Sequence, residues 1–194
     1  MSINLLKPLP DRLSECAVVD AHGTSHVLGS LIEGSAALLL FIRHFGCIGC
    51  SENISLMAPR FAELKELGVR VLIIGCGAPN FIDGFKERHR LLFSPAEIFS
   101  DESLASQTAA GLMYSAWGGF GPKGLYEMAR AFVSGNVSGD IQGDIKQQAG
   151  AILVDGAGVV RLYHRNGSLG DHVDPAQVVD AALVSFVAAN PDAE

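Results

Sequence analysis

Two apolar runs separated by a helix-spaced stretch constrain this chain more than any other feature. "AALLLFI" at 36–42 and "VRVLIIGCG" at 69–77 are nearly unbroken in apolar character. Each is too short for an ordinary helix and reads as a strand buried on both faces. Between them, Ile54, Met57, Phe61 and Leu64 fall at helical spacing over residues 51–67, which gives one buried face. A strand, a helix and a strand in that order make a right-handed crossover with the two strands parallel. Pro59 lies inside the helical stretch. It removes a backbone donor and crowds the carbonyl of Ser55, so a kink is expected there.

The flanking segments extend this unit. Residues 17–32 alternate short apolar pieces around Ala21-His22-Gly23 and read as a small amino-terminal hairpin. Residues 80–89 read as a helix, and "EIFSDE" as a short strand followed by an acidic turn. "AGAILVDGAGVVRLYHR" at 149–165 reads as two antiparallel strands around Asp155-Gly156-Ala157-Gly158. A last helix is expected over 175–188, with Asp174 as its cap and Pro175 at its first position. Residues 103–148, rich in glycine, small residues and aromatics, read as helices joined by mobile loops. No internal repeat or linker interrupts the chain, so residues 1–194 read as one domain. The order predicts an α/β sandwich with a central mixed sheet flanked by helices, an N-terminal hairpin and a helical insertion around 103–148.

In that arrangement "FIRHFGCIGCSEN" falls where the first long strand feeds its helix. Open α/β sheets place their ligands at this end of the strands. Cys47 and Cys50 are i and i+3, on one helical face, so their sulfurs can bond. The unpaired N–H groups and positive end of the helix favour a thiolate, and Arg43 and His44 just upstream add to that field. Three readings stay open: a redox pair, half of a metal site, or two inert buried cysteines. A metal site needs four ligands, and no second pair stands at ligand spacing, which favours the redox reading. Cys47, at the helix start, is the expected attacking thiolate, and Cys50 the resolving thiol.

Three stretches carry a family resemblance: "DAHGTSHVLGSLI", "LLLFIRHFGCIGCSE" and "QQAGAILVDGAGVVRLYHRNGSLGDH". In this order they resemble the peroxiredoxin-like branch of the alkyl hydroperoxide reductase/thiol-specific antioxidant superfamily, the branch with a Cys-x-x-Cys. The resemblance implies a thioredoxin-like fold and a Cys47–Cys50 pair cycling between dithiol and disulfide. It also implies a thiol reductant such as thioredoxin or glutathione, a peroxide or disulfide substrate, and no cofactor. A homodimer is left open. A typical peroxiredoxin has a threonine or serine three residues before its peroxidatic cysteine and a proline seven before. Counted from Cys50, those positions hold Cys47 and Arg43, and Ala149 stands where a thiolate-stabilising arginine is usual. That register makes Cys50 the peroxidatic residue of the alternative reading, a thiol peroxidase. A third reading is a non-catalytic binding protein of the same fold.

Composition narrows the partners. The formal net charge of −7 offers no basic stripe, so no nucleic-acid or anionic-membrane partner is expected. No apolar run approaches the roughly 20 residues of a spanning helix. Residues 1–16 lack the apolar core of a secretory signal, so the cytoplasm is the expected compartment. Cys76 reads as a packed core cysteine, with a third redox thiol as the alternative, and Arg165 and Asp171 as a structural pair. "GFGPKG" at 119–124 matches a dinucleotide fingerprint in letters, but no buried strand precedes it. Tyr114, Trp117 and Phe120 read instead as apolar cover near the thiols.

Overall fold

The computed structural model describes residues 3–112, 147–168 and 170–190. The tertiary frame is a seven-stranded mixed sheet in the order β2-β1-β5-β4-β3-β6-β7. Its strands are β1 (Ala17–Val19), β2 (Ser25–Val27), β3 (Ala36–His44), β4 (Val69–Cys76), β5 (Glu97–Ser100), β6 (Gly150–Val154) and β7 (Val160–Arg165). β3, β4 and β5 run parallel, while β6 pairs antiparallel with both β3 and β7. This is the thioredoxin-like sandwich read from the sequence, with the expected parallel crossover at its centre.

β3 alternates between two buried faces. Leu38, Leu40 and Ile42 join one core, and Ala37, Leu39 and Phe41 the other. On the first face lie α3 (Ile48–Met57), α4 (Phe61–Glu66), α5 (Ile82–Arg88) and α7 (Pro175–Ala189). The second face is covered by α1 (Asp11–Ser14) and α2 (Leu28–Ile32), with Ala110 and Leu112 following α6 (Ala105–Ala109). A strand apolar at every position is the signature of cover on both sides.

Local differences from the sequence reading have identifiable causes. The 51–67 helix begins earlier, at Ile48, and is interrupted around Pro59. Ala58–Arg60 forms a 3-10 turn between α3 and α4, since the proline cannot donate the interior bond. The amino-terminal hairpin closes at Val27, and Leu28–Ile32 is a short helix instead of strand. Asp174 caps α7 by accepting the Ala176 N–H at 3.0 Å, with Pro175 in the first turn. Of the helical insertion, α6 is described. The rest of it, with Tyr114, Trp117, Phe120 and the "GFGPKG" loop, lies outside the described residues.

One irregularity matters for the site. Phe41 pairs with Ile74 and His44 with Cys76, so β3 carries one more residue than β4 between these points. Such a bulge bends its strand and frees backbone groups from the ladder. Gly75 faces it, where a Cβ would lie 3.0 Å from both the Ile42 and Phe45 side chains.

Candidate active site

The bulge presents both backbone groups of Arg43 to sulfur. Its N–H donates to Cys50 Sγ at 3.1 Å, and its carbonyl accepts the Cys76 thiol at 2.8 Å. Beyond it the chain turns tightly: the Cys47 N–H donates to the His44 carbonyl at 3.1 Å, and the Gly46 N–H to His44 Nδ1 at 3.3 Å. Cys47 then caps α3 in extended conformation, its carbonyl accepting the first helical bond from Ser51 at 2.9 Å. All four cysteines are unbridged, so Cys47 and Cys50 stand as a dithiol.

The two sulfurs are electrically unequal. The Cys47 thiol is pulled down to about 6, chiefly by a hydrogen bond from the Cys50 thiol. The Arg43 charge and the N–H groups of Cys50 and Gly49 pull the same way, against a burial penalty. Cys50 is pushed well above the ordinary thiol range by burial and by donating to Cys47. A thiolate at Cys47 beside a protonated Cys50 is the division of labour expected of a nucleophile and its resolving partner. Burial and the Arg43 charge hold His44 down to about 4, so it is neutral at physiological pH and serves the turn.

The thiols open onto a cavity of about 10 Å³ lined by Arg43, Cys47, Cys50, Asn53, Asn166 and His172. That is room for roughly one water molecule. Arg43 is only 7 % exposed, and its guanidinium has no hydrogen-bond or carboxylate partner among the described residues. Oδ1 of Asn53 and Oδ1 of Asn166 are buried without a partner there as well. Behind them His172 Nε2 meets Glu52 Oε2 at 3.1 Å, with side chains 6 % and 8 % exposed. The cavity therefore offers a cation, unsatisfied acceptors and a thiolate to one small polar guest.

The structure brings Cys47, Cys50 and Arg43 together at this cavity and places His44 in the turn beneath it. Cys76 donates to the Arg43 carbonyl but does not line the cavity. Arg165 and Asp171 do not pair. Asp171 lies 3.5 Å from His164 and accepts the Gly167 N–H at 2.6 Å, because β7 alternation turns His164 to that side. Sequence reasoning missed Glu52, Asn53, Asn166 and His172. Glu52 and Asn53 on an otherwise buried helix were the available signal. Among the described residues, no three His, Cys, Asp or Glu side chains gather as a metal-ligand set.

A sequence model described as AhpC/TSA antioxidant enzyme matches residues 56–168, more than half of the chain. The chain belongs to that family. The match begins beyond the thiol pair and the β3–α3 junction, so membership rests on the part of the chain that follows them. "Thioredoxin-like protein AAED1, chloroplastic" of Arabidopsis thaliana is 25 % identical over 159 residues, 78 % of this chain and 63 % of that one. "Peroxiredoxin-like 2C" of Homo sapiens is 33 % identical over 81 residues, 41 % of this chain and 35 % of that one. The chain thus spans less than two thirds of both relatives. Among solved structures, Peroxiredoxin Q of Xanthomonas campestris superimposes with a TM-score of 0.62 at 16 % identity, covering 95 % of this chain and 97 % of that one. That likeness is one of fold.

Proposed function

We propose that the chain is a thiol oxidoreductase, one domain over residues 1–194, in which Cys47 attacks and Cys50 resolves. Its substrate is a small hydroperoxide, and a cellular thiol such as thioredoxin or glutathione returns it to the dithiol. The observation that carries this is the polarised pair facing a small polar cavity beside a buried Arg43 whose guanidinium has no hydrogen-bond partner among the described residues. A buried cation is costly unless something anionic shares its site. Here the Cys47 thiolate and the oxygens of a peroxide fill that role.

The Cys47 thiolate attacks the nearer peroxide oxygen, and the O–O bond breaks with its electron pair on the farther oxygen. That oxygen takes a proton and leaves as alcohol or water, and Cys47 becomes a sulfenic acid. Cys50 then attacks the Cys47 sulfur, losing its proton as water departs, and the Cys47–Cys50 disulfide closes. Two electrons and two protons from the external thiol restore the pair. Thiol–disulfide exchange alone uses the same two sulfurs and remains the second reading, since a Cys47 thiolate attacks a disulfide equally well.

A thiol pair that must be re-reduced after each turnover suits a reducing compartment, the cytosol above all. No helix among the described residues is long and apolar enough to cross a membrane. One preparation with one electron donor tests the reading: peroxide consumption is measured against disulfide reduction, with intact mass recorded after one equivalent of hydrogen peroxide. The expected mass falls by about two units as the disulfide closes. A mass that stays constant, or rises by whole oxygens on Cys50 alone, sinks it.

A further inference from the structure

Breaking the O–O bond leaves one demand unmet by the thiols: the departing oxygen needs a proton. We propose that His172, held charged by Glu52, donates that proton. The assignment rests on the peroxide reading above.

Attack on a peroxide is in line, so the leaving oxygen moves away from Cys47 across the cavity. The donor therefore stands on a wall other than the first turn of α3. Of the cavity residues outside that helix and its cap, Arg43 is too basic to give up a proton, Ala149 has none, and an asparagine amide is no acid. His172 is the remaining acid there among the described residues. Cys50, beside the attacking sulfur, already directs its proton to Cys47.

The surroundings favour the charged ring. Nε2 faces the Glu52 carboxylate at 3.1 Å, and a carboxylate this close favours imidazolium. On the other side, Nδ1 lies 3.5 Å from the amide nitrogen of Asn166, whose Oδ1 is buried without a partner among the described residues. Turning that amide by half a rotation sets its oxygen against Nδ1, a pairing that needs a proton on Nδ1. With Nε2–H directed to Glu52, the ring then carries both protons. Among the described residues, the charged or titratable groups that pair with it or share its cavity include Glu52, Cys47 and Cys50 from α3 and its cap, and Arg43 from β3. Asp171, its neighbour in the chain, is turned to His164. The Nδ1 proton, shared between Asn166 Oδ1 and the leaving oxygen as that oxygen gains charge, passes to the latter and leaves a neutral ring, which solvent recharges after each turnover.

Leaving-group sensitivity tests this, because a structural role would not discriminate between oxidants. Single-turnover oxidation is measured with hydrogen peroxide, which expels poorly leaving hydroxide, and with peracetic acid, which expels acetate. Each rate is divided by the same protein's rate of Cys47 alkylation, which reports fold and thiolate. His172→Asn is expected to slow hydrogen peroxide roughly 10²-fold, within the usual range for a lost general acid, and peracetic acid markedly less. Glu52→Gln keeps the hydrogen bond but removes the charge, so the alkaline fall of the hydrogen peroxide rate moves to lower pH. Equal losses on both oxidants, or an unmoved alkaline limb in Glu52→Gln, overturn the role of His172 and leave the peroxide reading standing. A wild-type protein oxidised by neither compound overturns both.

Discussion

Two tight connections in this molecule each bury a charge, and they treat it in opposite ways. At the β6–β7 hairpin, Asp155 is 8 % exposed and fully employed. One oxygen accepts the Ala157 and Val159 N–H groups at 2.9 Å, and the other the Arg161 guanidinium at 2.7 Å. At the β3–α3 turn, Arg43 is 7 % exposed and its guanidinium meets no acceptor among the described residues, while two amide oxygens nearby are likewise unmatched. Native structures pair nearly all buried polar groups, so an unmatched cluster marks a place kept for something else. The hairpin spends its charge on holding the turn; the junction leaves its charge facing the cavity proposed to receive the peroxide.

The largest expected effect separates the two sulfurs of the junction. Cys47→Ser should abolish turnover and leave a slowly alkylating thiol at Cys50. Cys50→Ser should keep a fast thiol that traps mixed disulfides with small thiols, since a serine hydroxyl still donates to Cys47. In the wild-type protein, alkylation should rise with pH through about 6 as the Cys47 proton is lost, then level off. Alkylation by pH-jump mass spectrometry checks all three. A Cys47→Ser protein that alkylates faster than Cys50→Ser reverses the roles.

Next comes Arg43→Met, which removes the unpartnered cation and keeps much of its volume. Peroxide turnover should fall by roughly 10²–10³, the usual cost of one preorganised electrostatic group. The alkylation midpoint should move up, because the charge that favours the thiolate is gone. Stability should hold, since the guanidinium makes no hydrogen bond or carboxylate contact among the described residues to lose. Stopped-flow kinetics, a pH titration of alkylation and a urea melt report the three quantities on one sample. A variant that is both fully active and less stable would make Arg43 a structural residue like Asp155.

The smallest effect on chemistry belongs to the hairpin. Asp155→Ala should cost about 2 kcal/mol, the scale of hydrogen bonds to a charged group, while thiol alkylation keeps its rate. Burial pushes the Asp155 carboxyl up, but the Val159 N–H, Arg161 and the Ala157 N–H outweigh it and hold it below the usual carboxylate range. Its contribution is therefore present above the unfolded carboxylate value and is lost as pH falls through the folded one. Urea melts at neutral and acidic pH should converge for wild type and variant as the pH falls. A constant difference would mean that the carboxylate charge is not what holds the turn.

What was legible in the sequence is local. The apolar runs at 36–42 and 69–77 announced strands buried on both faces, and the spacing of Cys47 and Cys50 put both at one helix start. Asp155-Gly156-Ala157-Gly158 announced its hairpin, and Asp174-Pro175 its helix, because turn and cap chemistry depend on residues a few positions apart. The polarity of the dithiol, by contrast, depends on which thiol donates to the other and on how deeply each is buried, and that follows from the packing around the β3–α3 junction. Glu52 and His172 stand 120 residues apart and meet only because β6, β7 and the loop after them return across the mouth of α3. Spacing along a chain reports contacts within one helix turn or one hairpin. Which distant side chains share a cavity, and which polar atoms are left unmatched in it, is decided by the packing of the whole sheet.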